Sequence, residues 1–159
     1  MTTTTSNAGP AASARLRPAT SADLPNVEKL LTASRLPLDG VREALPTFIV
    51  AESAGDLVGV AGLEVCCDNA LLRSVAVADA WRSRGVGRAL VERVIAEAES
   101  RGIHALYLLT TTAERYFPSF GFRAITRDQV PEDIRDTAEF RGACPASATV
   151  MSRPVTPAT

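Results

Sequence analysis

The segment that most limits what this chain can become is LLRSVAVADAWRSRGVGRALVERV, Leu71 to Val94. It opens on an apolar run of strand character and passes into a helix in which Val86, Leu90, Val94 and Ala98 make one apolar stripe, while Glu92, Arg93, Glu97 and Glu99 fall largely off it. Between strand and helix lies Arg82-x-x-Gly85-x-Gly87. Glycines let the backbone turn tightly and approach a ligand, and the N–H groups of a helix's first turn have no acceptor within the helix, so this junction is an anion site suited to a pyrophosphate. Arg82, Arg84 and Arg88 put cations beside it, or are solvated at the helix start. The turn is neither a dinucleotide fingerprint, which would want a third glycine or alanine where Leu90 stands, nor a P-loop, which would carry Gly-Lys-Ser/Thr after a four-residue gap.

The rest of the chain reads as one domain arranged around this junction. A strand starts over Ala14 to Arg17, and Thr20 or Ser21 caps a helix in which Leu24, Val27, Leu30 and Leu31 recur at helical spacing and which stops before SRLPLDG. After a short apolar turn at Val41 to Leu45, the runs TFIVAE, DLVGVAGLEV and ALLRSVAV are divided by AGD and CCDN, which predicts three consecutive antiparallel strands. Gly102 closes the amphipathic helix. Beyond it, HALYLLT predicts a buried strand, AERYFPSF a short helix, GFRAIT a strand, PEDIRDTAEF a helical insertion and SATVMSR a final edge strand. Helices and strands sharing one mixed sheet give an α/β or α+β layer architecture.

Composition bounds the function. Across 159 residues, 17 Lys+Arg face 18 Asp+Glu, so the clustered basic excess that nucleic acid or anionic membrane requires is missing and a small or mildly polar ligand is expected. No stretch approaches the roughly 20 apolar residues of a membrane helix. Cys66, Cys67 and Cys144 are too few and too unevenly spaced for a secreted disulfide framework, which favours a reducing, cytoplasmic setting. The adjacent Cys66 and Cys67 suggest a metal or arsenical thiol site, or are small apolar residues at a strand end; we expect the latter, and no metal. Residues 1–13 are expected to be a disordered leader, 14–153 the domain and 154–159 a disordered tail.

With SVAV (Ser74 to Val77), RSRGVG (Arg82 to Gly87) followed by RAL, and an aromatic-rich helix leading into Gly121-Phe122, the chain resembles the GNAT superfamily of acetyl-CoA-dependent N-acetyltransferases from about Arg15 to Arg153. That resemblance implies a mostly antiparallel sheet flanked by helices, with a splayed strand pair that takes acetyl-CoA. The backbone of Val75, Ala76 and Val77 would pair with the pantetheine arm as an added strand does, and the amides from Ser83 through Arg84, Gly85, Val86 and Gly87 to Arg88 would cradle the pyrophosphate, with Arg82 alongside. Much of the catalysis would then come from proximity.

Proton handling is less plainly written. Many members of the superfamily carry a glutamate two residues before the SVAV-type valine; here Arg73 stands there, unable to act as a base but suited to holding a substrate carboxylate, or else a structural arginine. Glu64 on the preceding strand is the candidate base through water, or an exposed strand-end glutamate. Where many relatives have a tyrosine general acid, this chain has Phe117, with Tyr116 one residue earlier as the candidate.

The stretch from Leu106 to Met151 resembles the arsenic-resistance-associated N-acetyltransferases and the acetyltransferase domain of N-acetylglutamate synthases, through Leu109-Thr110-Thr111, the aromatic pair before Gly-Phe and the Val-Pro-Glu helix. Both groups imply a free amino acid or analogue as acceptor, glutamate-like or an arsenical or phosphinic toxin. Arg73 and Arg141 would meet its acidic groups, and Thr110 and Thr111 would hydrogen-bond it. His104, at the far end of that strand, is read as structural. The competing readings are a non-catalytic acyl-CoA-binding or regulatory module and a protein or peptide acetyltransferase, the latter needing an acceptor groove that SRLPLDG and the insertion leave uncovered. Pairing of an exposed final edge strand would offer a route to a homodimer.

Overall fold

The computed structural model describes residues 14–143 and 147–155. Seven strands form one sheet in the order β1-β2-β3-β4-β5-β7-β6: β1 Arg15–Pro18, β2 Ile49–Ser53, β3 Asp56–Cys66, β4 Asn69–Val77, β5 Ala105–Thr110, β6 Arg123–Ile125 and β7 Thr149–Pro154. The helices are α1 Leu24–Ala33, α2 Val41–Ala44, α3 Val86–Ser100 and α4 Glu132–Arg135. All neighbouring strands run antiparallel except β4 and β5, which are joined by the α3 crossover.

Alternation along the strands sends apolar side chains to both faces. Ile49, Ala51, Ala61, Leu63 and Leu72 join Val86, Leu90, Val94 and Ala98 of α3 on one side. Val50, Val60 and Ala76 join Phe48, Val41 and the α1 residues Val27 and Leu31 on the other. A third cluster seats Ile134 of α4 with Leu71 and Val150. Gly62 is required here, because a Cβ at that position would lie 2.4 Å from the Phe48 ring. Gly59 plays the same part under α3, where a Cβ would meet a Leu90 methyl at 2.8 Å.

Four sequence expectations change. SATVMSR is not an edge strand: β7 lies between β5 and β6, paired with both, so the short β6 is the edge and the strand-pairing route to a dimer through the last strand is removed. β7 also runs to Pro154, and Val155 is buried with its N–H on the His104 carbonyl, so the ordered chain reaches past Arg153. AERYFPSF narrows to a single tight turn at Phe117–Phe120, since Pro118 has no N–H to give a longer helix. PEDIRDTAEF divides into α4 and a wide kinked turn, Glu139–Ala143, with Gly142 at φ 129°. Cys66 ends β3, half-buried, with its thiol pushed up to about 11 by burial, and Cys67 is exposed in the following turn; Cys144 lies outside the described residues.

Ahead of α1, Thr20 and Asp23 form a reciprocal capping box, and Asp23 accepts two 2.8 Å bonds from Arg17 of β1. Those bonds chiefly hold the buried Asp23 carboxyl down at about 2, against an ordinary 3.8. Because the folded value is the lower one, the stabilisation is complete above about pH 4 and disappears as pH falls towards 2. Asp23→Asn is expected to lose about 2 kcal/mol of unfolding free energy at pH 7, and the gap from wild type, measured by urea denaturation, is expected to close as the pH approaches 2.

Candidate active site

β4 leaves β5 within a few residues, while it stays beside β3 along its length with one slip of register. Its parallel pairing with β5 covers only Asn69–Leu71 against Ala105–Tyr107. On the β3 side the register slips between Val60 and Gly62, one extra residue bulging from β4, where Ser74 takes φ 59°. A bulge of this kind bends and twists a strand. Beyond Leu71 the two parallel strands diverge, and the backbone of Leu72 to Val77 faces a cleft of about 780 Å³ shared with Leu108 to Thr110.

At one mouth of the cleft stands the glycine turn. Ser83 and Gly85 adopt left-handed backbone, φ 63° and 85°, which turns the chain sharply into α3. The first hydrogen bond there runs from Ala89 N–H to Gly85 O at 3.0 Å, so the amides of Val86, Gly87 and Arg88 precede the helical ladder and are those a bound anion would meet. A Cβ on Gly87 would lie 3.5 Å from both the Tyr116 hydroxyl and a Val77 methyl, which leaves room for little more than a methyl. Arg82 reaches back to the Val77 carbonyl, and Arg88 lies 4.5 Å from the Phe120 ring centroid and bonds Ser119.

At the other end is Arg73. Its side chain is 0% exposed, although it carries a full charge. Nη1 donates to Glu64 Oε1 at 2.9 Å, Nε donates to Ser74 Oγ at 3.1 Å, and Glu139 Oε2 lies 3.5 Å from Nε. Nη2 is buried and has no hydrogen-bond partner among the described residues. The SRLPLDG loop lies against this group: a Cβ on Gly40 would come 3.0 Å from Arg73 Nη1 and 3.8 Å from Ala138.

Of the residues singled out from sequence, Arg73, Val75, Ala76, Val77, Arg82, Ser83, Gly85, Gly87, Arg88, Thr110 and Tyr116 line the cleft together. Others lie outside it. Val86 turns its side chain into the core and contributes only main chain, and Arg84 stacks over Trp81 at 5.3 Å. Thr112 and Ala113 line the cleft where Thr111 was expected. Arg141 lines a neighbouring recess with Asp39 and Asp136. Glu64 does not line the cleft; its carboxylate is engaged by Arg73. The carboxylate that does line it is Glu139, which sequence reasoning missed inside a stretch read as plain helix. Burial raises the Tyr116 hydroxyl above its ordinary pKa, so it keeps its proton at neutral pH, and Thr110 Oγ1 accepts the Ala113 N–H at 2.9 Å to close the turn after β5. Among the described residues no cluster of His, Cys, Asp and Glu is arranged to hold a metal, and no helix is long and apolar enough to cross a membrane.

Residues 45–124 match the acetyltransferase (GNAT) domain family. The chain belongs to the GNAT acetyltransferases. It is 29% identical over 125 residues to an uncharacterized N-acetyltransferase of Chlorobaculum tepidum, covering 72% of this chain and 76% of that one. It is also 29% identical over 136 residues to the amino-acid acetyltransferase of Neisseria meningitidis, covering 80% of this chain but only 31% of that relative's length. Among solved structures, the N-acetylglutamate synthase of Neisseria gonorrhoeae, complexed with coenzyme A and N-acetyl-glutamate, superposes with a TM-score of 0.77 at 24% identity over 89% of this chain and 35% of the other. This GNAT domain is thus an N-acetyltransferase that draws its acetyl group from acetyl-CoA, and the splayed main chain of β4 with the uncapped glycine turn fits that donor. Gly87→Trp is expected to abolish acetyl-CoA binding in calorimetry while the far-UV circular dichroism stays native; an unchanged Kd would remove the turn from the donor site.

Proposed function

We propose that this acetyltransferase acts on the α-amine of a small amino acid or amino-acid analogue carrying further acidic groups, glutamate-like in shape and including arsenical or phosphinic analogues, by direct attack on the thioester. The observation that carries the reading is the buried Arg73, with one guanidinium nitrogen left over at the end of the cleft away from the glycine turn. A buried donor without an acceptor is costly, and a substrate carboxylate supplies the acceptor that Nη2 lacks. The similarity to amino-acid acetyltransferases supports the same class of acceptor. Close packing of Gly40 and Ala138 about Arg73 narrows this end, which suits a free amino acid better than a peptide needing an open groove. The adjacent free thiols of Cys66 and Cys67 suit a reducing cytoplasm.

In this reading the donor enters with its phosphates on the amides of Ser83 to Arg88, runs beside Val77, Ala76 and Val75, and presents its thioester near the Ser74 bulge. Proximity supplies a large share of the rate, since both reactants are held in one narrow site. Arg73 and Thr110 orient the acceptor, while Arg141 and Thr111, outside the cleft, are not needed for it. Tyr116 stands beside Gly87, as does Val77, which lies four residues along the strand from Arg73, roughly 13 Å at the usual rise. We therefore assign its hydroxyl to the donor's phosphate end, not to the departing thiolate. Tyr116→Phe is expected to raise the KM for acetyl-CoA several-fold and leave kcat within about twofold of wild type; a loss confined to kcat would restore the acid role.

The deciding experiment follows CoA-thiol release with glutamate, aspartate, methionine, phosphinothricin, arsinothricin and a peptide amine as acceptors. Release with one of the amino-acid-like acceptors is expected, and acetyl-CoA binding without release would favour a non-catalytic module. Arg73→Ala is the wrong variant, because it would take away the buried cation that Glu64 and Glu139 share, a loss of about 3–5 kcal/mol. Arg73→Lys keeps the charge and removes the fork. It is expected to lower kcat/KM for carboxylate-bearing acceptors by about 10- to 100-fold, the weight of one charged hydrogen bond, with acetyl-CoA affinity nearly unchanged. An equal loss with an amine that has no carboxylate would count against the role.

A further inference from the structure

Ser74 stands at the β4 bulge with its backbone at φ 59°, is 6% exposed, and lines the cleft next to Arg73. Its Oγ accepts a 3.1 Å hydrogen bond from Arg73 Nε. Resting on the amino-acid reading above, we propose that Ser74 is a specificity residue for the acceptor: its hydroxyl and Arg73 Nη2 grip the α-carboxylate together, one donor to each oxygen.

The bulge is what makes such a pair possible. In a regular strand, successive side chains point to opposite faces, whereas here those of residues 73 and 74 meet. Their bond also fixes what the hydroxyl has left to offer. A serine hydroxyl carries one proton to donate and two lone pairs, and a guanidinium nitrogen can only donate, so the bond uses a lone pair of Oγ and leaves its proton for another partner. Among the described residues no acceptor takes that proton. Accepting from a cation polarises the O–H and strengthens it as a donor.

The guanidinium is divided in the same way. Nη1 is committed to Glu64 at 2.9 Å, and Nε to Ser74, with Glu139 Oε2 3.5 Å from it. Nη2 is buried without a hydrogen-bond partner among the described residues. In a planar guanidinium, Nε–H and one Nη2–H run side by side along one edge. Ser74 Oγ occupies the Nε half of that edge, so a group bound at Nη2 lies beside the hydroxyl. Two adjacent donors, one charged and one neutral, match the two oxygens of a carboxylate. Position then selects which carboxylate. Ser74 directly precedes Val75, where the proposed path of the donor brings its thioester. An amine attacking there has its α-carboxylate one carbon away, within reach of residues 73 and 74, while a side-chain acid lies farther off.

The experiment takes whichever of L-glutamate, L-aspartate and L-methionine the wild type acetylates fastest, together with its α-amide, and compares wild type with Ser74→Ala and Ser74→Gly. Alanine keeps the Cβ, and with it the backbone strain at φ 59°; glycine relieves that strain, so one variant without the hydroxyl folds even if the other is poorly stable. Calorimetric acetyl-CoA titration and thermal melting accompany the kinetics. The wild type is expected to prefer the acid to the α-amide in kcat/KM, and both variants to lower that preference by about 10- to 100-fold, the weight of one hydrogen bond to a charged group. The amide's amine is less basic, but that difference is common to every variant and cancels. A preference left intact in both variants overturns the proposal, whether the rates are unchanged or fall equally for acid and amide, the latter marking a role toward the thioester or in the fold. A wild type that acetylates the amino acid no better than its α-amide overturns it too, and leaves the amino-acid acceptor standing. If the wild type acetylates none of the three amino acids, the amino-acid reading fails and this proposal with it.

Discussion

Everything distinctive in this molecule follows from β4 being unable to stay paired with β5 along its length. One extra residue at the Ser74 bulge breaks the register with β3, and three residues of parallel pairing with β5 are all that remain before the two strands part. A sheet that opens in its middle leaves main-chain polar groups without neighbours, and such groups demand partners. In the reading proposed above, that partner is the donor's own amide-bearing arm. Because β4 and β5 are parallel, the chain must cross over between them, and the α3 crossover brings the first turn of that helix to the mouth of the same opening. Bulge, splay and helix terminus are one device.

The far end of the opening follows a different rule. A wholly buried guanidinium survives only if its charge is matched, and here Glu64 and Glu139 match it from two separate elements. The packing is tight enough that Gly40, already in left-handed backbone at φ 79°, could not carry a side chain without pressing on Arg73. Donor and acceptor ends therefore differ in kind. In the proposed reading the donor end recognises through backbone, tolerant of side-chain change, whereas the acceptor end recognises through a few buried charges, each dependent on the others.

Legibility in the sequence divides along the same line. The α3 stripe, the capped α1 entry and the three-strand meander are carried by local periodicity and turn residues, and all appear in place. The glycine turn was legible because its backbone conformation is dictated by nearby residues. Strand order was not: nothing in TVMSRP states that β7 inserts between β5 and β6, and only pairing energies across the sheet decide that. Its adjacent buried Val150 and Met151 are consistent with an interior strand, a weak signal beside an edge strand's alternation. Glu139 escaped notice for a related reason, since a carboxylate in an apparently amphipathic run looks solvated until the kink at Gly142 is known.

By itself, then, the sequence determined the layered α/β scaffold and the glycine turn, because both arise from interactions between residues a few positions apart. Only the tertiary structure decided that Arg73 is buried, that Glu64 is occupied holding it, that Glu139 and not Glu64 lines the cleft, and that Tyr116 stands beside Gly87. Those are contacts between residues from different strands and loops. Their free energy depends on burial and on partners that no local pattern encodes.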